Sequence, residues 1–154
     1  MKKSVQNAAG QEFIHGMSIG DWLEINGDYE HCIAYGHLLW PRFVEYEDCV
    51  FVDHGNGAAS ISDNYKGFMT QTNGNKTAVE AVMNHRHILD LFPNTKQEPT
   101  RELILGVGRL LKDIWQTKLD HDFPNRRITV SFPDDHADDL LAYEITFFQE
   151  EHLR

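Results

Sequence analysis

The chain has 154 residues, and its 24 acidic and 14 basic side chains give a formal net charge of −10. A negative charge of this size repels nucleic acid phosphates and anionic lipid headgroups, so nucleic acid and membrane surfaces are excluded as expected partners. No stretch approaches the ~20 apolar residues of a membrane span, and the N-terminal segment lacks the apolar core of a signal peptide. These features predict a cytoplasmic protein, and the acidic balance favours a basic protein partner. They do not predict an oligomeric state.

The composition is that of a globular protein. Hydrophobic residues make up 41% of the sequence, and a chain of this length can bury a core without disulfides or structural metals. Cys32 and Cys49 lie in apolar surroundings, where cysteine usually behaves as a small hydrophobe. We predict a single domain over residues 10–154, preceded by a loose polar tail over residues 1–9.

Two helices are predicted first in the chain. Ser18, with Asp21 three residues later, is typical of a capped helix start, and this helix should end at Asn26. A second helix over residues 29–40 is expected to stop at Pro41, since proline cannot continue a helix.

The next stretch has a different pattern. Residues 43–52 are aromatic and β-branched, which favours either one bent strand or a tight hairpin turning at residues 47–48. A glycine-rich loop over residues 53–57 follows. The sequence between residues 60 and 72 is ambiguous, and a helix starting at Ser62 is the preferred interpretation.

Helical spacing then continues over residues 77–92, with a histidine at the centre of the apolar face. Six apolar side chains fall within an arc of roughly 120° centred on His85: Ala78, Ala81, Val82, Ile88, Leu89 and Phe92. A polar ring buried without a partner costs on the order of 1–3 kcal/mol, so His85 must have a hydrogen-bonding partner. Tyr143 and Glu144 are possible neighbours, as are residues of the helix over 29–40.

The C-terminal third predicts a long amphipathic helix over residues 99–119 and two strands, 126–132 and 140–149. The strands should form an antiparallel hairpin around an acidic loop over residues 133–139. Together the elements predict an α+β fold in which four to five helices pack on a small, mainly antiparallel sheet with a C-terminal β-hairpin.

Three residues are candidates for chemistry. His85 can act as a general base if it is partly buried beside a carboxylate or a tyrosine, although a satisfied core histidine is the more common case. His37 lies at helical spacing between Ile33 and Trp40, so it could share a cavity with His85 or reach solvent past Trp40. Tyr143 is a possible partner of His85.

The sequence gives little support for a metal or cofactor. His85 and His87 resemble a metal-binding pair, but on a helix residues two apart point about 200° apart, so His87 should face away. The loop over residues 134–139 lacks the spacing of a calcium-binding loop, and a solvated loop is the simpler interpretation. Gly106 and Gly108 lie inside a predicted helix, where they favour close packing over phosphate binding. We therefore expect no metal site and no cofactor.

The absence of a complete catalytic motif favours a non-enzymatic binding or regulatory protein of the inhibitor or immunity type, acting through a protein partner. The alternative is a small enzyme, or a ligand- or metal-binding protein, with a pocket that contains His85. A cavity of a few hundred Å³ reaching His85 would favour this alternative.

Overall fold

The structure is a computed structural model that describes residues 13–14, 16–55, 57–96, 98–135 and 139–150. These residues form five α-helices and seven short strands, and every strand pair is antiparallel. The predicted α+β class, with a mainly antiparallel sheet and a C-terminal hairpin, is confirmed. The predicted tail over residues 1–9 lies outside the described residues.

The chain divides into two compact units between Leu38 and Leu39. A division by contacts does not show that either unit folds alone, so the single domain over residues 10–154 stays a prediction. Within the described residues, none of the helices combines the length and apolar character needed to cross a bilayer.

The first unit contains a two-residue hairpin and two helices. Strand β1 (Phe13–Ile14) pairs with β2 (Met17–Ser18), and α1 (Ile19–Asn26) and α2 (Tyr29–Leu39) follow. Ser18 caps α1 by accepting the N–H of Asp21 at 3.1 Å, as predicted. Both helices are fully described, and neither contains a buried residue.

The second unit begins with the tight hairpin. Strand β3 (Phe43–Tyr46) pairs with β4 (Cys49–Val52), and the two residues between them, Glu47 and Asp48, have positive φ angles of 51° and 66°. Two such residues in a two-residue loop match the right-handed twist of the strands. Helix α3 (Gly57–Gln71) begins before the predicted start at Ser62 and packs on this hairpin. The shared core contains Cys49, Phe51, Ile61, Tyr65 and Val79.

A three-stranded sheet completes this unit. Its order is β5 (Arg86–His87), β7 (Glu144–Gln149) and β6 (Ile128–Ser131), so the strand latest in sequence lies at the centre. The long helix α5 (Arg101–Asp122) packs on β6 and β7, which confirms the predicted helix and hairpin. Its core contacts include the buried side chains Leu111, Trp115, Leu119, Ile145 and Phe147.

Helix α4 (Lys76–Met83) joins the hairpin to the central strand through two buried side chains. Glu80 accepts the backbone N–H of Val50 at 2.8 Å and that of Gln149 at 2.7 Å. Asn84, one turn later, donates to the carbonyls of Val50 at 2.9 Å and Phe147 at 3.2 Å. The helix therefore satisfies strand backbone groups that would otherwise be buried without partners.

The helix predicted over residues 77–92 is wrong beyond Met83. Asn84 occupies the C-cap position of α4, and β5 begins at Arg86. A short 3₁₀ helix, Leu89–Leu91, follows. The bonds that Asn84 makes to two strands fix the end of the helix, and helical periodicity in the sequence carries no information about such distant partners.

Candidate metal centre

The pairing of β5 with β7 brings three potential ligands to one place. His87 lies directly opposite Glu144 in the antiparallel register, and directly opposed residues project from the same face of a sheet. His85 lies between the end of α4 and β5, two residues before His87, and its ring contacts that of His87. The register therefore places both imidazoles beside the Glu144 carboxylate.

The distances within this cluster are short. His85 Nε2 lies 2.8 Å from Glu144 Oε2, and the centroids of the two imidazole rings are 4.5 Å apart. One ligand atom from each of the three residues lies within 4.8 Å of the others. The side chains of His85 and Glu144 are 33% and 44% exposed, so solvent and small solutes can reach them.

A backbone contact orients the second histidine. His87 Nδ1 lies 2.8 Å from the carbonyl oxygen of Leu141. A carbonyl can only accept a hydrogen bond, so Nδ1 carries the proton and Nε2 of the neutral ring keeps its lone pair. Metal-binding histidines are commonly held in this way, with one ring nitrogen donating to a carbonyl while the other binds the ion.

The donor set suits a borderline transition-metal ion. Imidazole nitrogen and carboxylate oxygen bind Zn²⁺ at roughly 2.0–2.2 Å, which places tetrahedral ligand atoms about 3.3 Å apart. The His85–Glu144 pair is already at 2.8 Å, and the ligand atoms of all three residues lie within 4.8 Å of one another. These separations bracket the spacing that a tetrahedral zinc site requires.

The predicted separation of His85 and His87 is wrong. Their rings are in edge-to-face contact because they lie in extended chain and not on a helix. Glu144, one of the suggested neighbours of His85, is in contact with it, and the His85 side chain is partly buried at 33% exposure. The expectation that no metal binds stays a prediction. It depended on placing His85 and His87 on a helix, and neither residue lies on one.

The other two candidate residues lie elsewhere. Tyr143 is fully buried, and its hydroxyl accepts a hydrogen bond from Nε of Arg101 at 2.9 Å. It precedes Glu144 by one residue and packs near Phe132. His37 is exposed on α2 in the first unit and is not part of the three-residue cluster.

Two of the described carboxylates of the acidic loop, Asp134 and Asp139, have partners within the chain. Arg109 binds Asp134 through Nε at 3.1 Å and Nη2 at 2.6 Å, and these hydrogen bonds lower the pKa of that carboxyl. Asp139 accepts the N–H of Leu141 at 3.1 Å. The predicted loop also includes residues 136–138, which lie outside the described residues.

A cavity of about 190 Å³ opens beside β4, α3 and α4. His85 is not one of the described residues that line this cavity. His54 does line it and is contacted by Nη2 of Arg86. Burial, followed by the charge of Arg86, lowers the pKa of His54, which keeps this imidazole neutral at pH 7. The cavity is thus separate from the cluster of His85, His87 and Glu144.

Sequence reasoning missed the cluster because it extended a helix too far. Asparagine is a common residue at a helix end, so Asn84 was a usable stop signal. A stop there would have left His85 and His87 in extended chain, with both rings on one side.

Comparison with models of known protein families, with curated proteins and with solved structures found no match for this chain.

Proposed function

We propose that this protein binds a divalent transition-metal ion, with Zn²⁺ as the best fit, through His85, His87 and Glu144. The observation that carries the proposal is the convergence of two imidazoles and one carboxylate, with ligand atoms within 4.8 Å, on paired strands. This choice develops the alternative in which His85 belongs to a ligand- or metal-binding site.

The ligand types support a first-row transition metal over a hard cation. Ca²⁺ and Mg²⁺ prefer all-oxygen coordination, whereas imidazole suits Zn²⁺, Fe²⁺ and Cu²⁺. The His87–Leu141 hydrogen bond adds the orienting contact that such histidines require. The acidic net charge of −10 also favours a cation over an anion.

Three protein ligands leave room for a fourth, exchangeable one. Structural zinc sites are usually closed by four protein ligands, whereas sites with three protein ligands hold water or substrate in the remaining position. The partial exposure of His85 and Glu144 gives a small ligand access to that position. A zinc ion held here would polarise a bound water or a carbonyl group.

The test is metal binding by the chelator-stripped protein. Isothermal titration with ZnCl₂ should show one site per chain. His85→Ala, His87→Ala and Glu144→Gln should each weaken binding roughly tenfold or more, because each removes one ligand. Elemental analysis after desalting should give close to one zinc per wild-type chain and much less in each variant.

His121→Ala is the matched control. His121 Nδ1 lies 3.0 Å from Asp122, so it also forms a histidine–carboxylate pair, but among the described residues this pair belongs to no three-ligand cluster. This variant should bind zinc as the wild type does. The proposal is overturned if the wild type binds no zinc, or if the cluster variants retain full affinity while circular dichroism shows that they are folded.

A further inference from the structure

The two helices of the first unit expose an unusual amount of apolar surface. Tyr29 is 92% exposed and Ile33 is 66% exposed, and Leu23 and Ile25 are exposed on the preceding helix. A helix that packs in a core normally buries an apolar stripe, yet no residue of α1 or α2 is buried. Contiguous exposed apolar surface of this kind marks a site for another molecule.

The apolar residues of α2 recur at the spacing of a single helix face. Tyr29, Cys32, Ile33 and Gly36 fall at positions i, i+3, i+4 and i+7, so they form one stripe along the helix. Gly36 leaves open space, with no atom within 4 Å of the place a Cβ would occupy. Tyrosine is also enriched among the residues that dominate binding energy at interfaces.

The charge of the segment selects the partner. Residues 16–38 contain no lysine or arginine, whereas the described acidic side chains are Asp21, Glu24, Asp28 and Glu30. A second copy of this chain would bring the same acidic residues together, and like charges across an interface oppose association. These carboxylates would instead attract a positively charged partner to the apolar stripe.

We infer that α1 and α2 form a docking surface for a positively charged protein that presents an amphipathic helix, whose apolar face covers the α2 stripe. The α2 stripe supplies the apolar contact, and the surrounding carboxylates supply charge complementarity. This inference does not depend on the metal centre, because it rests on different residues in the other unit. It gives a specific location to the basic partner expected from the net charge.

The probe is an amphipathic helical peptide built from lysine and leucine, compared with the corresponding glutamate–leucine peptide. Fluorescence anisotropy with the full chain should show binding of the lysine–leucine peptide and much weaker binding of its acidic counterpart. Ile33→Ser should weaken binding about tenfold, as expected for loss of an interface anchor. Leu110→Ser removes a similarly exposed side chain from α5 and should change it little.

Charge reversal tests the electrostatic part separately. Glu24→Lys with Glu30→Lys leaves the caps at Ser18 and Asp28 intact and should weaken binding about tenfold, with a smaller salt dependence. The control is Asp63→Lys with Asp113→Lys, which makes the same change in net charge on exposed positions of α3 and α5.

Equal weakening by the two double variants would overturn the inference, because binding would then follow net charge alone. Equal binding of the two peptides, or no binding of either, would also overturn it. A concentration-dependent dimer that is lost in Ile33→Ser would identify a second copy as the occupant instead. Circular dichroism of each variant establishes that its helices are intact.

Discussion

At the scale of single residues, the two cysteines occupy opposite environments. Cys49 is fully buried on β4, whereas Cys32 is exposed on α2. Burial, with a further contribution from the charge of Glu80, raises the pKa of the Cys49 thiol to about 11. Because the thiolate is the reactive form, Cys49 should be inert while the fold is intact.

This difference predicts one reactive thiol in the native protein. Treatment with the disulfide reagent DTNB at pH 8 should release close to one equivalent of thionitrobenzoate per wild-type chain. The Cys32→Ser variant should give almost none. Both thiols of the wild type should react once guanidinium unfolds the chain. Rapid release of two equivalents under native conditions would show that β4 opens and would contradict its described burial.

At the scale of the element, two glycines of α5 have opposite roles. A Cβ added at Gly108 would overlap the ring of Phe132, so the helix and the end of β6 can approach only because that position has no side chain. A Cβ at Gly106 would meet no atom within 4 Å. The close packing expected at this glycine pair therefore belongs to Gly108.

The two positions form a matched pair for mutation. Gly106→Ala should stabilise the protein by about 0.5–1 kcal/mol, because alanine favours the helix and has free space. Gly108→Ala should destabilise it by about 1–3 kcal/mol, because overpacking against Phe132 outweighs the same helical gain. Urea unfolding measures both, and a stabilised Gly108→Ala variant would contradict the described contact.

Elements with strong local signals could be predicted from the sequence. Helix α5 has a long apolar face, and Ile104, Leu111 and Trp115 on that face are buried. The β3–β4 hairpin could not be distinguished from a bent strand, because the turn depends on the positive φ angles of Glu47 and Asp48. Helix α4 was extended too far, because tertiary bonds made by Asn84 override the helical period that continues past it.

The meeting of the two histidines with Glu144 could not be predicted, for a related reason. The parts of this cluster are local and visible in the sequence, but its assembly depends on strand register. His85 and Glu144 are separated by 59 residues, and a shift of one residue in the β5–β7 pairing would place Glu144 on the other face. Register is set by packing on both sides of the sheet, which a single sequence does not display.

At the scale of the whole molecule, the net charge of −10 opposes compaction. Raising NaCl from low to physiological concentration screens this repulsion and should raise Tm by roughly 2–4 °C, corresponding to about 1 kcal/mol in a chain of this size. Exposed pairs such as Arg109–Asp134 lose strength at the same time, but each contributes only about 0–1 kcal/mol.

Differential scanning calorimetry over a salt series checks this expectation. The Asp63→Lys, Asp113→Lys variant carries less negative charge and should show a smaller rise in Tm. A fall in Tm of the wild type with added salt would mean that attractive ion pairs outweigh the net repulsion.

The central position of β7 has a consequence for biosynthesis. Residues 144–149 follow every other described helix and strand, so the middle strand leaves the ribosome after both of its neighbours. Until it emerges, Glu80 and Thr77 lack their hydrogen bonds to the backbone of Gln149. The two histidines of the cluster likewise lack Glu144. The nascent chain therefore cannot complete its sheet or assemble the proposed metal ligands until this one segment has emerged, and both events depend on the same late step.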